Sequence, residues 1–199
     1  MRNYAIVCPG PSLSKFSLFE HDPGCLISVN SAVIHRYGAS VPDYWTLMDP
    51  ELFLTVSKRV DLKWIIKRTV LWVPENFEHQ ALGVIDTGWG QWTKRERDIF
   101  GLFDIVTFRR DFSTSMPFGK HIPWDVRSMF MAMALAIING ATTIRLYGCD
   151  LEGLDYWHHG FKNSRTNMTD KRWENERMWL EHIVHSCVMN GVQVIRENR

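Results

Sequence analysis

The sequence predicts an α/β protein built in three layers: a mostly parallel sheet of about seven strands with helices on both faces. Short apolar runs of strand length alternate along the chain with segments of helical periodicity, and this alternation is typical of strand–helix–strand units. The 199 residues can bury a sizeable core, and no repeat, low-complexity tract or linker divides them. We therefore predict a single domain over residues 1–199.

The strands are predicted from runs rich in β-branched and aromatic residues. They are Tyr4–Cys8, Cys25–Val29, Tyr44–Met48, Thr69–Val73, Asp104–Phe108, Thr143–Tyr147 and Val192–Ile195.

The helices are predicted at Ser14–Phe19, Ser31–Tyr37, Pro50–Arg59, Arg95–Phe100, Asp125–Asn139 and Asp170–Asn190. Two of them carry end signals. We expect Asp125 to N-cap the apolar helix that Gly140 ends, and Thr169 to cap the last helix, which stops at Asn190-Gly191.

Composition and charge argue against several classes of protein. Hydrophobic residues make up 45% and charged residues 23%, with a net charge of +1, so no nucleic-acid surface is indicated. No apolar run reaches the ~20 residues of a membrane span, and the N-terminus has no signal-peptide pattern. The four cysteines form no C-x-x-C pair, which indicates reduced thiols, with Cys8 and Cys149 in the core, and a cytoplasmic location.

Nine tryptophans are an unusual number for this length. Four sit in apolar patterns and are expected in the core: Trp45, Trp64, Trp72 and Trp179. Four others stand beside Gly, Pro or His in predicted loops: Trp89, Trp92, Trp124 and Trp157. These either stack on a sugar or base, or clamp their loops onto the body of the protein.

The first predicted strand leads into a small-residue turn, Cys8-Pro-Gly-Pro-Ser12. Gly10 would let the main chain approach a ligand closely, Pro9 and Pro11 would stiffen the turn, and Ser12 adds a hydroxyl. A strand that delivers such a turn to a helix start is how α/β proteins offer backbone N–H groups to phosphate. The pattern is neither G-x-G-x-x-G nor a Walker P-loop, and an ordinary strand-to-helix turn is the alternative.

Polar residues also follow three other predicted strands: Asn30 and Ser31, then Asp49, then Gly148 and Asp150. Asn30-Ser31 and Asp49-Pro50 are also ordinary helix starts. Parallel strands end at one edge of a sheet, however, and ligands bind beyond the carboxyl ends of strands in open α/β sheets.

The start of the apolar helix offers Arg127 and Ser128. A guanidinium and a hydroxyl at a helix N-terminus suit a phosphate, and Lys120 and His121 just upstream could add positive charge. The alternative is a solvated arginine and a second cap.

Two long irregular segments, 83–97 and 152–168, are predicted to be lids or binding loops. The second holds the pair His158-His159, in which either imidazole could act as a general base toward an acceptor hydroxyl. No metal-ligand spacing surrounds the pair, and a surface histidine pair is the alternative.

These residues together resemble a known superfamily. Cys8-Pro-Gly-Pro-Ser-Leu13 is similar to the opening motif of Rossmann-like bacterial sialyltransferases, Maf-type flagellin glycosyltransferases and archaeal 6-hydroxymethylpterin diphosphokinases. Asn30-Ser-Ala32, Pro42-Asp43 and Asp49-Pro50 are similar to the Maf and pterin-kinase pattern. The apolar helix and strand ending in Gly148-Cys-Asp150 resemble the sialyltransferase helix and strand. The matches span residues 4–51 and 128–163.

The resemblance implies a Rossmann-like fold and a nucleotide or nucleotide-sugar site. In it, the turn residues Gly10, Pro11 and Ser12 would meet phosphate, and Asn30 and Asp49 would meet ribose, base or sugar. Ser128 matches a serine near the donor, and Tyr156 would bind phosphate. The family's catalytic histidine position is Gly160 here, followed by the matching Lys162-Asn163, and His158 and His159 stand just before it.

The sequence therefore predicts a transferase with a nucleotide-linked donor, most simply a sialyltransferase-like glycosyltransferase that moves a sugar to a small-molecule or glycan acceptor. His159 or His158 would be the base, and no metal would be required. A Mg²⁺-dependent diphosphokinase of the 6-hydroxymethylpterin type, or a non-catalytic nucleotide- or sugar-binding module, is the alternative. Aromatic loops leave room for a homo-oligomer.

Overall fold

The computed structural model describes residues 2–15, 24–34, 41–75, 77, 92–108, 117–118, 127–151 and 170–197. Within them, seven strands form one sheet in which every neighbouring pair is parallel. The strands are β1 (Asn3–Val7), β2 (Cys25–Val29), β3 (Tyr44–Thr46), β4 (Val70–Pro74), β5 (Asp104–Phe108), β6 (Thr143–Tyr147) and β7 (Gln193–Arg196). The predicted α/β class and the parallel sheet are confirmed.

The described α-helices are α1 (Pro50–Arg59), α2 (Lys94–Phe100), α3 (Ser128–Ile138) and α4 (Asp170–Met189). Short 3₁₀ helices cover Pro11–Lys15, Asn30–Ile34 and Leu62–Trp64. Residues 16–19 and 35–37 of the helices predicted after β1 and β2 lie outside the described residues. The expected cap of α3 is wrong: Arg127, with extended φ and ψ of −150° and 145°, is its N-cap, so Asp125 is not. Thr169 lies outside the described residues.

The strand order is β5-β4-β3-β2-β1-β6-β7. The chain builds outward from β1 to β5 on one side and then returns to place β6 against the other side of β1. The order therefore reverses between β1 and β6. In open parallel sheets, the crevice beyond the carboxyl ends of the strands at such a reversal is where ligands bind.

Both faces of the sheet are covered, which makes the three predicted layers. On one face, α3 and α4 pack against side chains of β1, β2 and β6, among them Ile6, Ile27 and Leu146. On the other face, α1 and α2 pack against β3 and β4, and Leu13 and Ala32 of the 3₁₀ helices pack against Ala5 and Val7 of β1. Strands buried on both faces are apolar throughout, which explains the uninterrupted runs in the sequence.

Trp92 belongs to the core. It is 7% exposed and stacks on Phe53 of α1, with ring centroids 5.3 Å apart and planes at 13°. It precedes Thr93, the N-cap of α2. Because the aromatic cluster buries Trp92, the prediction of a binding loop over 83–97 is wrong for residues 92–97. There the alternative holds, in which the tryptophan clamps its segment onto the body of the protein. Residues 83–91 and 152–168, which include Trp89 and Trp157, lie outside the described residues, as does Trp124.

The four cysteines are free thiols. Cys8 and Cys149 are buried with their Sγ atoms 3.4 Å apart. The hydrogen bond with Cys149, together with burial, holds the pKa of Cys8 well above its ordinary value. Burial also raises the pKa of Cys187 to about 11. The prediction of core thiols at Cys8 and Cys149 is confirmed.

Within the described ranges, no helix has the combined length and apolar character that crossing a bilayer requires.

The start of α2 is closed by a capping box. The Thr93 N–H donates to Glu96 Oε2 at 2.7 Å, and the Glu96 N–H donates to Thr93 Oγ1 at 3.3 Å. Burial alone would raise the pKa of Glu96. Hydrogen bonds from the Thr93 backbone and side chain, with Lys58 Nζ 3.2 Å away, outweigh it and hold that pKa below its ordinary value of 4.5.

Glu96→Gln is expected to lower the free energy of unfolding by about 1 kcal/mol at neutral pH. Because the pKa of Glu96 is lower in the folded state, its ionised carboxylate stabilises the fold at any pH above the pKa of the unfolded state. This contribution is lost as the pH falls through the pKa of the folded state. Urea unfolding should therefore show a difference in the free energy of unfolding between variant and wild type that disappears below pH 4.5. Glu181→Gln, at an exposed position on α4, is the matched control; a gap of equal size there would contradict the cap assignment.

Candidate functional site

The predicted site residues that the structure describes lie at the carboxyl edge of the sheet. Ser12 follows β1, Asn30 and Ser31 follow β2, Asp49 follows β3, and Asp150 follows β6. The register pairs Val7 of β1 with Ser28 of β2 on one side and with Tyr147 of β6 on the other. Since the turn after β1 continues from this register, it runs between Asn30-Ser31 and Gly148–Asp150.

The turn after β1 and the end of β6 are in close contact at two glycines. A Cβ on Gly10 would lie 2.3 Å from both Gly148 O and Asp150 Oδ2. A Cβ on Gly148, which has φ +63°, would lie 2.1 Å from Cys8 O. Both positions therefore require glycine for this packing, and neither needs a ligand to explain it.

The amides of the turn are engaged within the chain. Cys8 N–H donates to Tyr147 O at 2.8 Å, Gly10 N–H to Gly148 O at 2.9 Å, and Ser12 N–H to Asp150 Oδ2 at 2.8 Å. Leu13 N–H donates to Gly10 O at 3.0 Å, and the two prolines have no N–H. The prediction that this turn offers unused amides to phosphate is wrong, because β6 and the Asp150 carboxylate already accept from them.

Three polar side-chain atoms are buried here without a hydrogen-bond partner among the described residues: Ser12 Oγ, Asn30 Oδ1 and Ser31 Oγ. Ser31 is 0% exposed. Buried polar atoms in folded proteins are nearly always paired, with protein, water or ligand. The residues Ser12, Asn30, Ser31 and Asp150, named here the switch-point corner, therefore form the strongest candidate for a ligand contact.

Asn30 is held in an uncommon conformation. Its φ is +53°, in the left-handed region that residues other than glycine seldom adopt. The indole N–H of Trp45, a residue 0% exposed, donates to the Asn30 carbonyl at 2.8 Å. Backbone strain of this kind persists where the surroundings hold it and is often found at ligand sites.

Arg127 and Glu176 form an ion pair that sequence reasoning missed. Arg127 Nε donates to Glu176 Oε1 of α4, and the Glu176 side chain is only 4% exposed. The sequence predicts a guanidinium directed at phosphate, but in the structure its Nε is turned to this carboxylate. The two residues are 49 positions apart, so no local pattern could have indicated the contact. Ser128 is buried as the first residue of α3.

Several contacts around the sheet hold the strands and their ends in place, and their polar groups are used within the chain. Asp43 Oδ2 accepts the Leu26 N–H at 2.7 Å, which joins the amino end of β3 to that of β2, at the edge of the sheet opposite the site. Arg196 donates to the Cys149 carbonyl at 3.1 Å, and Arg177 donates to the Leu151 carbonyl at 3.0 Å. Asp49 is the N-cap residue of α1, and its side chain makes no cap hydrogen bond.

Some predicted site residues cannot be compared with the structure. Tyr156, His158 and His159 lie outside the described residues, as do Lys120 and His121.

No group of three or more His, Cys, Asp or Glu side chains in the described part of the chain is arranged to hold a metal ion. For the diphosphokinase alternative, the sequence offers Asp49, Glu51 or Asp150 as neighbours of a Mg²⁺ ion; the three do not belong to one such group.

No protein-family model matches the chain, and no curated protein matches it. Its structure resembles that of the Maf glycosyltransferase from Magnetospirillum magneticum AMB-1, with a TM-score of 0.51 and 16% sequence identity. The likeness covers 78% of this chain and 24% of that one, so this chain spans about a quarter of that protein's length. At this level of identity the likeness shows the Rossmann-like α/β fold.

Proposed function

We propose that this protein is a glycosyltransferase that binds a nucleotide-linked sugar donor at the carboxyl edge of its sheet. The observation that carries the proposal is a group of buried atoms beside the strand-order reversal that have no hydrogen-bond partner in the described part of the chain: Ser12 Oγ, Asn30 Oδ1 and Ser31 Oγ. The fold that the chain shares with the Maf glycosyltransferase supports the same reaction class.

In this proposal, the acceptor hydroxyl oxygen bonds to the anomeric carbon of the donor sugar as the bond from that carbon to the nucleotide phosphate oxygen breaks. The acceptor proton passes to His159 or His158, a role that rests on the sequence alone. The electron pair of the broken bond stays on the departing phosphate. Ser128, at the N-terminus of α3, and Tyr156, whose role rests on the sequence alone, are proposed to stabilise that charge by hydrogen bonding.

The turn after β1 has a different part in the proposal from the one that the sequence predicts. Its amides are used within the chain, so it serves to hold Asp150 and Ser12 in place. The residues proposed to bind the nucleotide-linked sugar donor are Ser12, Asn30, Ser31, Asp49, Ser128, Asp150 and Tyr156. The residues proposed to shape that site are Gly10, Pro11, Gly148 and Arg127.

The test is a thermal-shift panel of CMP, UDP, GDP and ADP and their sugar derivatives, with and without Mg²⁺. A ligand at 100 times its Kd should stabilise the folded state by about 2.7 kcal/mol. We expect at least one nucleotide or nucleotide-sugar to shift the melting temperature, and transfer of its sugar to an acceptor to follow. Stabilisation by none of them would overturn the proposal.

His158→Ala and His159→Ala separate catalysis from binding. At least one of them is expected to keep nucleotide affinity and to lose turnover, whereas loss of binding would contradict the assigned role. An ATP-dependent activity that EDTA abolishes would favour the diphosphokinase instead, and binding without any product would favour the non-catalytic module.

A further inference from the structure

We propose that the switch-point corner recognises the hydroxyl groups of the donor's ribose and excludes its phosphates. This inference rests on the proposed function and specifies which part of a nucleotide the corner takes.

The charge at the corner disfavours a phosphate. The Asp150 carboxylate lies against the turn, with Oδ2 accepting the Ser12 N–H at 2.8 Å and in contact range of Gly10. In α/β proteins that bind phosphate at this turn, backbone N–H groups point at the anion. Here a carboxylate of the chain accepts from the turn instead, so a phosphate brought to the same place would meet like charge and no unused amide between Cys8 and Leu13.

The polar atoms of the corner favour a ligand that donates hydrogen bonds. A carboxylate and an amide oxygen only accept, and a serine hydroxyl both donates and accepts. With Asp150, Asn30 Oδ1 and two serine hydroxyls, the corner is rich in acceptors. Its partner must therefore donate. Ribose hydroxyls donate and accept, whereas an ionised phosphate ester has no proton to give.

The strand order places the residues of the corner around the end of β1. Ser12 and Asp150 are joined by a hydrogen bond, and Asn30 and Ser31 follow the adjacent strand β2. Strand β1, which carries the Ser12 turn, lies between β2 and β6, and neighbouring strands lie about 4.8 Å apart. A ribose placed beyond the end of β1 would therefore face Asn30 and Ser31 on one side and Asp150 on the other.

The experiment is calorimetric titration of the full chain with CMP, UMP, GMP and AMP and with the 2′,3′-dideoxy form of each. The ribonucleotide that binds is expected to do so at least about tenfold more tightly than its dideoxy form, because a hydrogen bond to a charged group is lost. The corresponding ribonucleoside should show the same preference over its dideoxy form, since the phosphate is not what the corner reads.

Asp150→Asn keeps the shape of the side chain and removes its charge. It should therefore reduce the ratio of the affinity for the ribonucleotide to the affinity for its dideoxy form. Asp104→Asn is the matched control, since Asp104 is exposed at the amino end of β5, the opposite edge of the sheet; it should leave the ratio unchanged. If Asp150→Asn does not fold, the ratio measured on the wild-type protein still decides.

Equal affinity for ribonucleotide and dideoxynucleotide would overturn this inference and leave the proposed nucleotide site standing. Binding of none of these nucleotides would overturn this inference, whereas the proposed function falls only if the nucleotide-sugars of the thermal-shift panel also fail to stabilise the protein.

Discussion

Gly148→Ala is expected to lower the free energy of unfolding by at least about 3 kcal/mol. The new methyl carbon would lie 2.1 Å from Cys8 O and 3.1 Å from Leu13 Cβ, at a residue whose φ is +63°. Relieving that overlap means separating β1 from β6. This separation breaks the hydrogen bonds that Cys8 N–H and Gly10 N–H donate to the end of β6. Urea unfolding monitored by tryptophan fluorescence measures the loss.

Gly191→Ala is the matched control for this prediction. Gly191 also has a left-handed φ, +78°, but a Cβ there meets no atom within 4 Å. The free energy of unfolding should fall only by the cost of placing an alanine in the left-handed region, about 1 kcal/mol. Equal losses in the two variants would mean that the close approach of β1 and β6 does not limit stability.

Arg127→Ala is expected to cost about 2–3 kcal/mol of stability, because it removes the guanidinium from a buried carboxylate. Glu176 has a side chain 4% exposed, whereas that of Arg127 is 32% exposed, which keeps the effect below that of a fully buried pair. The double variant Arg127→Met with Glu176→Met should recover part of the loss, because apolar residues can replace a buried ion pair. Chemical denaturation of the three proteins tests both statements.

The exposed pair Lys94–Asp98 provides the comparison for that result. Its atoms are 2.7 Å apart, but the side chains are 84% and 58% exposed. Lys94→Ala should therefore change stability by less than about 0.5 kcal/mol. A loss from Arg127→Ala as small as this would contradict a stabilising role for the Arg127–Glu176 contact.

The sheet could be predicted from sequence because its signals are local. β2, β5 and β6 begin and end where the apolar runs predict, and α1 begins at the predicted Pro50. The start of α3 could not be predicted. Asp125 is a good cap by composition, but Arg127 is extended and paired with Glu176 of another helix, a contact between distant parts of the chain.

The candidate site follows the same division. That Ser12, Asn30 and Asp150 share one edge could be predicted, since parallel strands end together. Which hydrogen bonds the turn keeps for itself could not be. Ser12 N–H and Asp150 are 138 residues apart, and only the pairing of β1 with β6 brings the carboxylate onto the amide. Glycine at positions 10 and 148 is compatible with a phosphate-binding turn and also with two strand ends packed against each other.

The position of β1 has a consequence for synthesis of the chain. β1 has two neighbours, β2 and β6. The residues just before β1 and β6 are joined as well, since Arg2 N–H donates to Thr142 Oγ1, 140 residues later. Until that late segment has left the ribosome, the first strand can be paired along one side only, with its other edge open to any extended peptide. Contacts between such distant residues slow folding, so this chain has a long interval during translation when chaperone binding to its first strand would prevent aggregation.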